Sequence, residues 1–261
     1  MTETKRNYDL VILAGGGATV VTAEEGPQLR TLAKVKGRRL LDYILDAVRD
    51  SRRVDSVALV TGSKELPAFA ALGLSGVLLC SCDGSMAEAA YAAIRCLRGQ
   101  PGHEKIDKVV TVCDDLPFLS GAALDDFISR AEQLEADGAY AIVTKEACRN
   151  AFPTMRRTFF HLEEGDFTGG NVALVSVDLF PGCIEKMRSV YHLRKNPVKL
   201  AYWLGLGFLI KMVRRRLGLS DVEERVSSLF GYRGRAVITE YASIGTDLDK
   251  PEDWAEAEKY L

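Results

Sequence analysis

From residue 8 to about residue 134 the chain alternates short apolar runs with amphipathic stretches, and no other feature narrows its fold so far. The runs "YDLVILAG", "VDSVALVTG", "GVLLCS" and "KVVTVCDDLPFLS" are each closed by turn-forming residues. That is the pattern of strands in a sheet covered on both faces. Between the first two, "RRLLDYILDAVRDS" places Leu40, Leu41, Ile44, Leu45 and Val48 on one helical face. A short helix is predicted around 64–72, an alanine-rich helix in "SMAEAAYAAIRCLRG" that Gly99 stops, and a further helix in "GAALDDFISRAEQL". Repetition of this kind predicts an α/β fold, a three-layer α/β/α sandwich with a mostly parallel, Rossmann-like central sheet and right-handed crossovers. Ligands gather at the carboxyl ends of strands in such sheets. Those ends here are residues 15–17, Gly62, residues 80–84 and residues 114–117.

The second half is less regular. "AYAIVTKEAC" reads as a strand, and "RRTFFHLEEGDFTGGNVALVSVDLF" as a hairpin or meander with turns at 164–166 and 169–171. A basic helical region follows at about 182–216, then a strand in "GRAVITEY" and a terminal helix in "KPEDWAEAEKYL" with Pro251 in its first turn. Without a repeat, a low-complexity tract or a linker, one domain over residues 1–261 is the economical reading, with a less regular basic helical insertion at about 182–235.

Composition removes several alternatives. The net charge of −2 gives no global basic field for nucleic acid. The six cysteines are scattered without zinc-ligand spacing, and with no signal peptide they read as reduced thiols of a soluble, cytoplasmic protein. The longest apolar stretch, residues 200–210, is too short and too interrupted to span a bilayer, so membrane association is not expected. The basic segment around it could supply a solvated face, a packed helix, a homodimer interface or cations for a phosphorylated acceptor.

Three strand ends carry unusual chemistry. Leu13 and Ala14 lead into Gly15, Gly16 and Gly17, whose backbone is free to turn tightly or to cradle phosphate with its N–H groups. Asp114 and Asp115 end a buried strand, where two adjacent carboxylates repel one another unless a cation such as Mg²⁺ is shared. The competing reading of that stretch is a plain turn imposed by Pro117. In "GTDLDKPED", Asp247 and Asp249 point the same way if the backbone is extended, and Asp249 is also placed to cap the terminal helix. Together the three ends suit a metal–nucleotide complex.

The segments "LAGGG", "KGRRLLDYILDAV", "VCDDLPFL", "FTGGNVALV" and "IGTDLDKPEDW" occur in the order and spacing of the MobA-like nucleotidyltransferases, which the chain therefore resembles. This is the molybdenum-cofactor guanylyltransferase branch of the GT-A-like nucleotidyltransferase superfamily. The resemblance implies a GT-A-type fold and a Mg²⁺-dependent transfer of NMP from an NTP, with GTP or CTP expected, to a small phosphorylated acceptor, releasing pyrophosphate. A molybdopterin-type acceptor, a sugar phosphate and an alcohol phosphate are all compatible with it, as is a catalytically weakened nucleotide-binding protein. By the same resemblance Leu13 to Gly17 hold the nucleotide, and Gly84 and Ser85 lie near its base and ribose. Gly170 and Asn171 lie near the acceptor, while Asp115 and Asp249 hold the metal. The family places a lysine seven residues before the glycine of its next motif; counting back from Gly37 gives Arg30, which becomes the catalytic and nucleotide-binding cation, with Lys34 as its competitor. The arginine that usually follows the glycines is missing, and Glu24 and Glu25 stand nearby instead.

Overall fold

Both faces of the first strand are buried, and the rest of the fold is organised by that burial. The computed structural model describes residues 7–14, 19–22, 26–193 and 205–261. In β1 (Tyr8–Leu13), Leu10 and Ile12 enter one apolar cluster while Val11 enters another on the opposite face, all three fully buried. Alternation of side chains along a strand requires this two-sided cover. Two small antiparallel pairs follow, β2 (Thr19–Thr22) with β3 (Gly26–Leu29) and β4 (Lys34–Val35) with β5 (Arg38–Arg39). Then come α1 (Leu40–Asp50), β6 (Val54–Thr61), α2 (Leu66–Ala70), β7 (Val77–Ser81), α3 (Met86–Arg98), β8 (Lys108–Cys113) and α4 (Gly121–Gln133). The expected alternation is present element by element.

Helices α1 and α4 cover one face through Leu41, Ile44, Val48, Leu124 and Phe127, whereas α3 covers the other through Ala90, Ala93, Ile94 and Leu97. Burying each larger side chain contributes about 1.5–3 kcal/mol, so the two clusters together fix which face each helix takes. Small residues on α3 let that helix lie close to the sheet.

The remaining strands extend the sheet on one side: β9 (Gly138–Thr144), β10 (Phe160–Leu162), β11 (Gly165–Ser176) and β12 (Gly234–Thr239). The order is β12-β9-β11-β8-β1-β6-β7, with β10 paired to β11. Within this seven-strand path, among the described residues, β11 alone runs against the rest, antiparallel to both β8 and β9. Its first half therefore lies at the edge where the other strands end.

Two expectations about this half need correction. The predicted turn at 169–171 is absent, because β11 continues through Gly169 and Gly170 and only its register with β9 slips there. A Cβ on Gly170 would stand 2.8 Å from both Ala141 Cβ and Ile244 Cγ2, so this glycine serves close approach within a bulged strand, not a reversal of the chain. The stretch read as one strand through Cys148 breaks at Thr144, whose hydroxyl accepts from the Ala147 N–H (3.1 Å) and starts α5 (Lys145–Ala151).

In the basic region, α6 (Phe180–Leu193) and the helix Leu206–Val213 are described, and residues 194–204 lie outside the described set. Phe208 and Met212 pack against Ile142, Leu162, Phe167 and Leu217. No described helix is long and apolar enough to cross a membrane. A helix Leu219–Phe230 precedes β12, and the helix Pro251–Ala257 follows it. The latter is capped through the Asp253 carboxylate, which accepts from Lys250 N–H (3.0 Å), and not by Asp249. Asp249 is thereby left to other partners.

Candidate active site

The sheet edge formed by the ends of β1, β6, β7 and β8 and the start of β11 gathers most of the residues singled out from the sequence. At the end of β1, Ala14 is fastened by its N–H to Val60 O (2.9 Å) and by its carbonyl, which accepts from Thr61 Oγ1 (3.0 Å). Leu13 is half-buried beside it. The glycines at 15–17 lie outside the described residues, so the phosphate-cradle expectation concerns a segment whose geometry is not described.

Where β8 stops, Leu116 is fully buried and holds the turn in place, and Asp114 and Asp115 both reach the cluster's main cation. Both carboxylates are buried, not exposed as a strand end in a loop would suggest. Arg30 Nη2 donates to Asp114 Oδ1 (2.7 Å), and Arg30 Nη1 lies 3.1 Å from Asp115 Oδ2 and 3.1 Å from Asp249 Oδ1. Thr31 Oγ1 donates to the other oxygen of Asp114. Arg30 is thus presented by a short 3₁₀ turn, Arg30–Leu32, whose second residue, Thr31, anchors the same carboxylate. Lys34, the competing cation, is exposed on β4, while Arg30 reaches Asp114, Asp115 and Asp249.

The second acidic turn is tied to the first by one backbone hydrogen bond, Leu248 N–H to Asp115 O (3.0 Å). Leu248 is fully buried, which turns Asp247 and Asp249 together to the opposite side. Carboxylate oxygens of Asp115, Asp247 and Asp249 all lie within 4.8 Å of one another. Arg157, itself mostly buried, donates from Nη1 to Asp247 Oδ1 and from Nη2 to Asp247 O.

The electrostatics of this cluster are lopsided. Four carboxylates, Asp114, Asp115, Asp247 and Asp249, face two guanidinium groups, Arg30 and Arg157. Burial pushes the Asp115 carboxyl well above the usual range, against the pull of Arg30, and the neighbouring carboxylates add to the rise. Asp247 is also raised, chiefly by burial, with Arg157 opposing. Asp115 Oδ1 is buried without a hydrogen-bond partner. An orphaned carboxylate oxygen among an all-oxygen donor set, with carboxyl groups outnumbering guanidinium groups among the described residues, fits a hard divalent cation such as Mg²⁺.

Other expected residues take distinct places on the edge. Ser85 caps α3, accepting from Glu88 N–H while Glu88 Oε2 accepts from Ser85 N–H (2.6 Å). Gly84 precedes it, and a Cβ there would meet the Glu88 side chain at 2.7 Å. Glu88 also pairs with Arg188 of α6 (2.7 Å), so the basic region reaches the start of α3. Gly170 is buried against Ala141 and Ile244, and Asn171, half-buried, precedes Val172, which pairs with Val112 of β8. Asn171 consequently lies beside the strand end that carries Asp114. Sequence reasoning missed Asp114 as the anchor of Arg30 and missed Arg157 altogether. The doublet Arg156–Arg157 signalled a cation, but only the fold shows which of the two turns inward.

Comparison with known proteins adds the family. The sequence matches the MobA-like NTP transferase domain over residues 10–195. A hypothetical transferase from Thermus thermophilus is 30% identical, covering 95% of this chain and 99% of that one at a TM-score of 0.77. Two further structures share the fold alone. The 4-diphosphocytidyl-2C-methyl-D-erythritol synthase of Anaerococcus prevotii is 14% identical, with 98% and 99% of the two chains covered and a TM-score of 0.58. The 2-C-methyl-D-erythritol 4-phosphate cytidylyltransferase of Thermus thermophilus is 15% identical, with 97% and 98% covered and a TM-score of 0.51. No curated protein matches the sequence. Family, fold and the acidic sheet edge agree: the chain is a nucleotidyltransferase and belongs to the MobA-like NTP transferase family.

Proposed function

We propose that the protein transfers NMP from an NTP, GTP or CTP, to a small phosphorylated acceptor with Mg²⁺, releasing pyrophosphate. The observation that carries this reading is the meeting of Asp115, Asp247 and Asp249 beside the buried, unpartnered Asp115 Oδ1. Asp115 and Asp249 would hold the ion, with Asp247 as a third oxygen donor that Arg157 keeps in position. The ion, when bound, supplies Lewis-acid neutralisation of the phosphate oxygens.

The chain's own residues do the rest by placement. Attack of an acceptor phosphate oxygen on the α-phosphorus forms one P–O bond as the bond to pyrophosphate breaks, and little covalent chemistry is asked of side chains. Arg30 offers two N–H groups that grip phosphate bidentately. Leu13 and Ala14 set the direction of the backbone into the glycines at 15–17, which take the triphosphate. Gly84 and Ser85 border the base and ribose, and Gly170 and Asn171 border the acceptor. Measuring pyrophosphate release from each of the four NTPs with Mg²⁺, across a panel of phosphorylated acceptors, tests the reading. One NTP–acceptor pair is expected to react, and Asp115→Ala is expected to abolish that reaction in a folded protein. Release that persists in the variant refutes the assignment.

A further inference from the structure

We propose that Arg30 shuts the carboxylate cluster to free divalent metal and opens it only when a triphosphate takes over its guanidinium, so that metal and triphosphate are accepted as one complex. The proposal rests on the metal–triphosphate reading above. Its basis is position: Arg30 reaches three of the cluster's carboxylates at once, Asp114 at 2.7 Å and Asp115 and Asp249 at 3.1 Å each. The last two are the assigned metal carboxylates, so the guanidinium stands where a second cation would have to approach.

A free ion therefore meets two obstacles. It is repelled by a fixed positive charge, and displacing that charge leaves a guanidinium without partners in a largely buried place, its side chain 15% exposed. A triphosphate removes both, because its oxygens offer Arg30 the same bidentate geometry that the carboxylates gave. Asp114 is built for the exchange. One of its oxygens is held by Thr31 Oγ1, so it keeps a partner when Arg30 departs from the other. The approach is open on the Asp249 side, where the carboxylate is 62% exposed, while Asp114 and Asp115 are walled in. Arginine also suits this task where lysine would not. Its two planar terminal nitrogens divide three carboxylates between them in a fixed fork, whereas an ammonium offers its three N–H groups from a single nitrogen and has no planar fork to hand over to a phosphate.

Linkage makes the coupling reciprocal, with metal and triphosphate each raising the other's affinity by one common factor. The test is titration of the metal-free protein with Mn²⁺, following loss of the free-ion EPR signal. Arg30→Ala is expected to bind Mn²⁺ alone about tenfold more tightly than the parent, within the usual range of coupling factors. Arg30→Lys, which keeps a cation and guards against a misfolded alanine variant, is expected to fall between them. A second measurement needs no variant. The melting temperature of the parent is expected to rise with Mn²⁺ plus inorganic tripolyphosphate and to stay unchanged with Mn²⁺ alone. Equal Mn²⁺ affinity in parent and Arg30→Ala overturns the gate while leaving the metal site standing. If neither protein binds Mn²⁺ and tripolyphosphate adds no shift, the metal reading itself falls, and the gate with it.

Discussion

Asp115→Asn separates what the fold needs from what the chemistry needs. The side chain is 8% exposed, one of its oxygens has no partner, and three further carboxylates surround it, with two guanidinium groups beside them among the described residues. Asparagine keeps the shape. Its oxygen can still accept from Arg30 Nη1, and its amide can now donate to Asp247 or Asp249. The loss is the charge-assisted part of the Arg30 contact, about 1 kcal/mol. The gain is relief of like-charge crowding plus satisfaction of a buried polar atom, about 2–3 kcal/mol. The balance favours the variant by about 1–2 kcal/mol, which for a chain of this size raises Tm by roughly 2–8 °C. Calorimetry at pH 8 in EDTA measures it, and pyrophosphate release with Mg²⁺ measures the expected loss of turnover. A variant that melts lower in EDTA would show that the Arg30 pairing outweighs the crowding, and a variant that still turns over would remove Asp115 from the metal site.

Three more outcomes are expected. Gly170→Ala places its Cβ 2.8 Å from two side-chain carbons and 2.9 Å from Ala141 O, so it should cost about 1–3 kcal/mol in urea unfolding, and an unchanged midpoint would contradict the close approach. Asp249→Asn should retain more turnover than Asp249→Ala, since an amide can still offer an oxygen to the proposed ion; equal losses in steady-state assays would point to a requirement for charge. The Asp166 carboxyl is lowered to about 2 by hydrogen bonds from Lys145 and then His161. Its folded value lies below the unfolded one of about 3.9, so its contribution is complete above that pH and fades as pH falls through 2. The stability difference between parent and Asp166→Asn, followed by urea unfolding from pH 6 downward, should shrink across that window; a difference that grows on acidification reverses the sign.

Periodicity carried the layered half of the fold because each strand and helix there is decided by its own apolar pattern, as Leu10, Val11 and Ile12 show by entering opposite cores. Asp115 was legible for a related reason, because it closes a strand of a mostly parallel sheet, where ligands gather, whereas Asp249 lies beyond β12 and reaches it through the turn that Leu248 fastens to Asp115 O. What stayed hidden depends on contacts with no local trace. Glycine at 169 and 170 is turn chemistry in sequence, and only packing such as that of Gly170 against Ala141 and Ile244 makes it strand. Asp249 looked like a helix cap until Asp253 took that task from within the helix. Arg30 was legible as a cation, but its grip on three carboxylates depends on where β8 and the turn around Leu248 end up.

The hydrogen bond from Leu248 to Asp115 also sets an order in time. Arg30 and Asp249 are separated by 219 positions, so during synthesis the glycine run, Arg30 and the two aspartates that follow β8 leave the ribosome long before the turn that completes the cluster. Contacts of such separation form late, after the local helices and the parallel strands have closed their shorter loops. A nascent chain can therefore hold a nearly finished sheet and still lack the third and fourth carboxylates of the cluster until residues 247–249 dock.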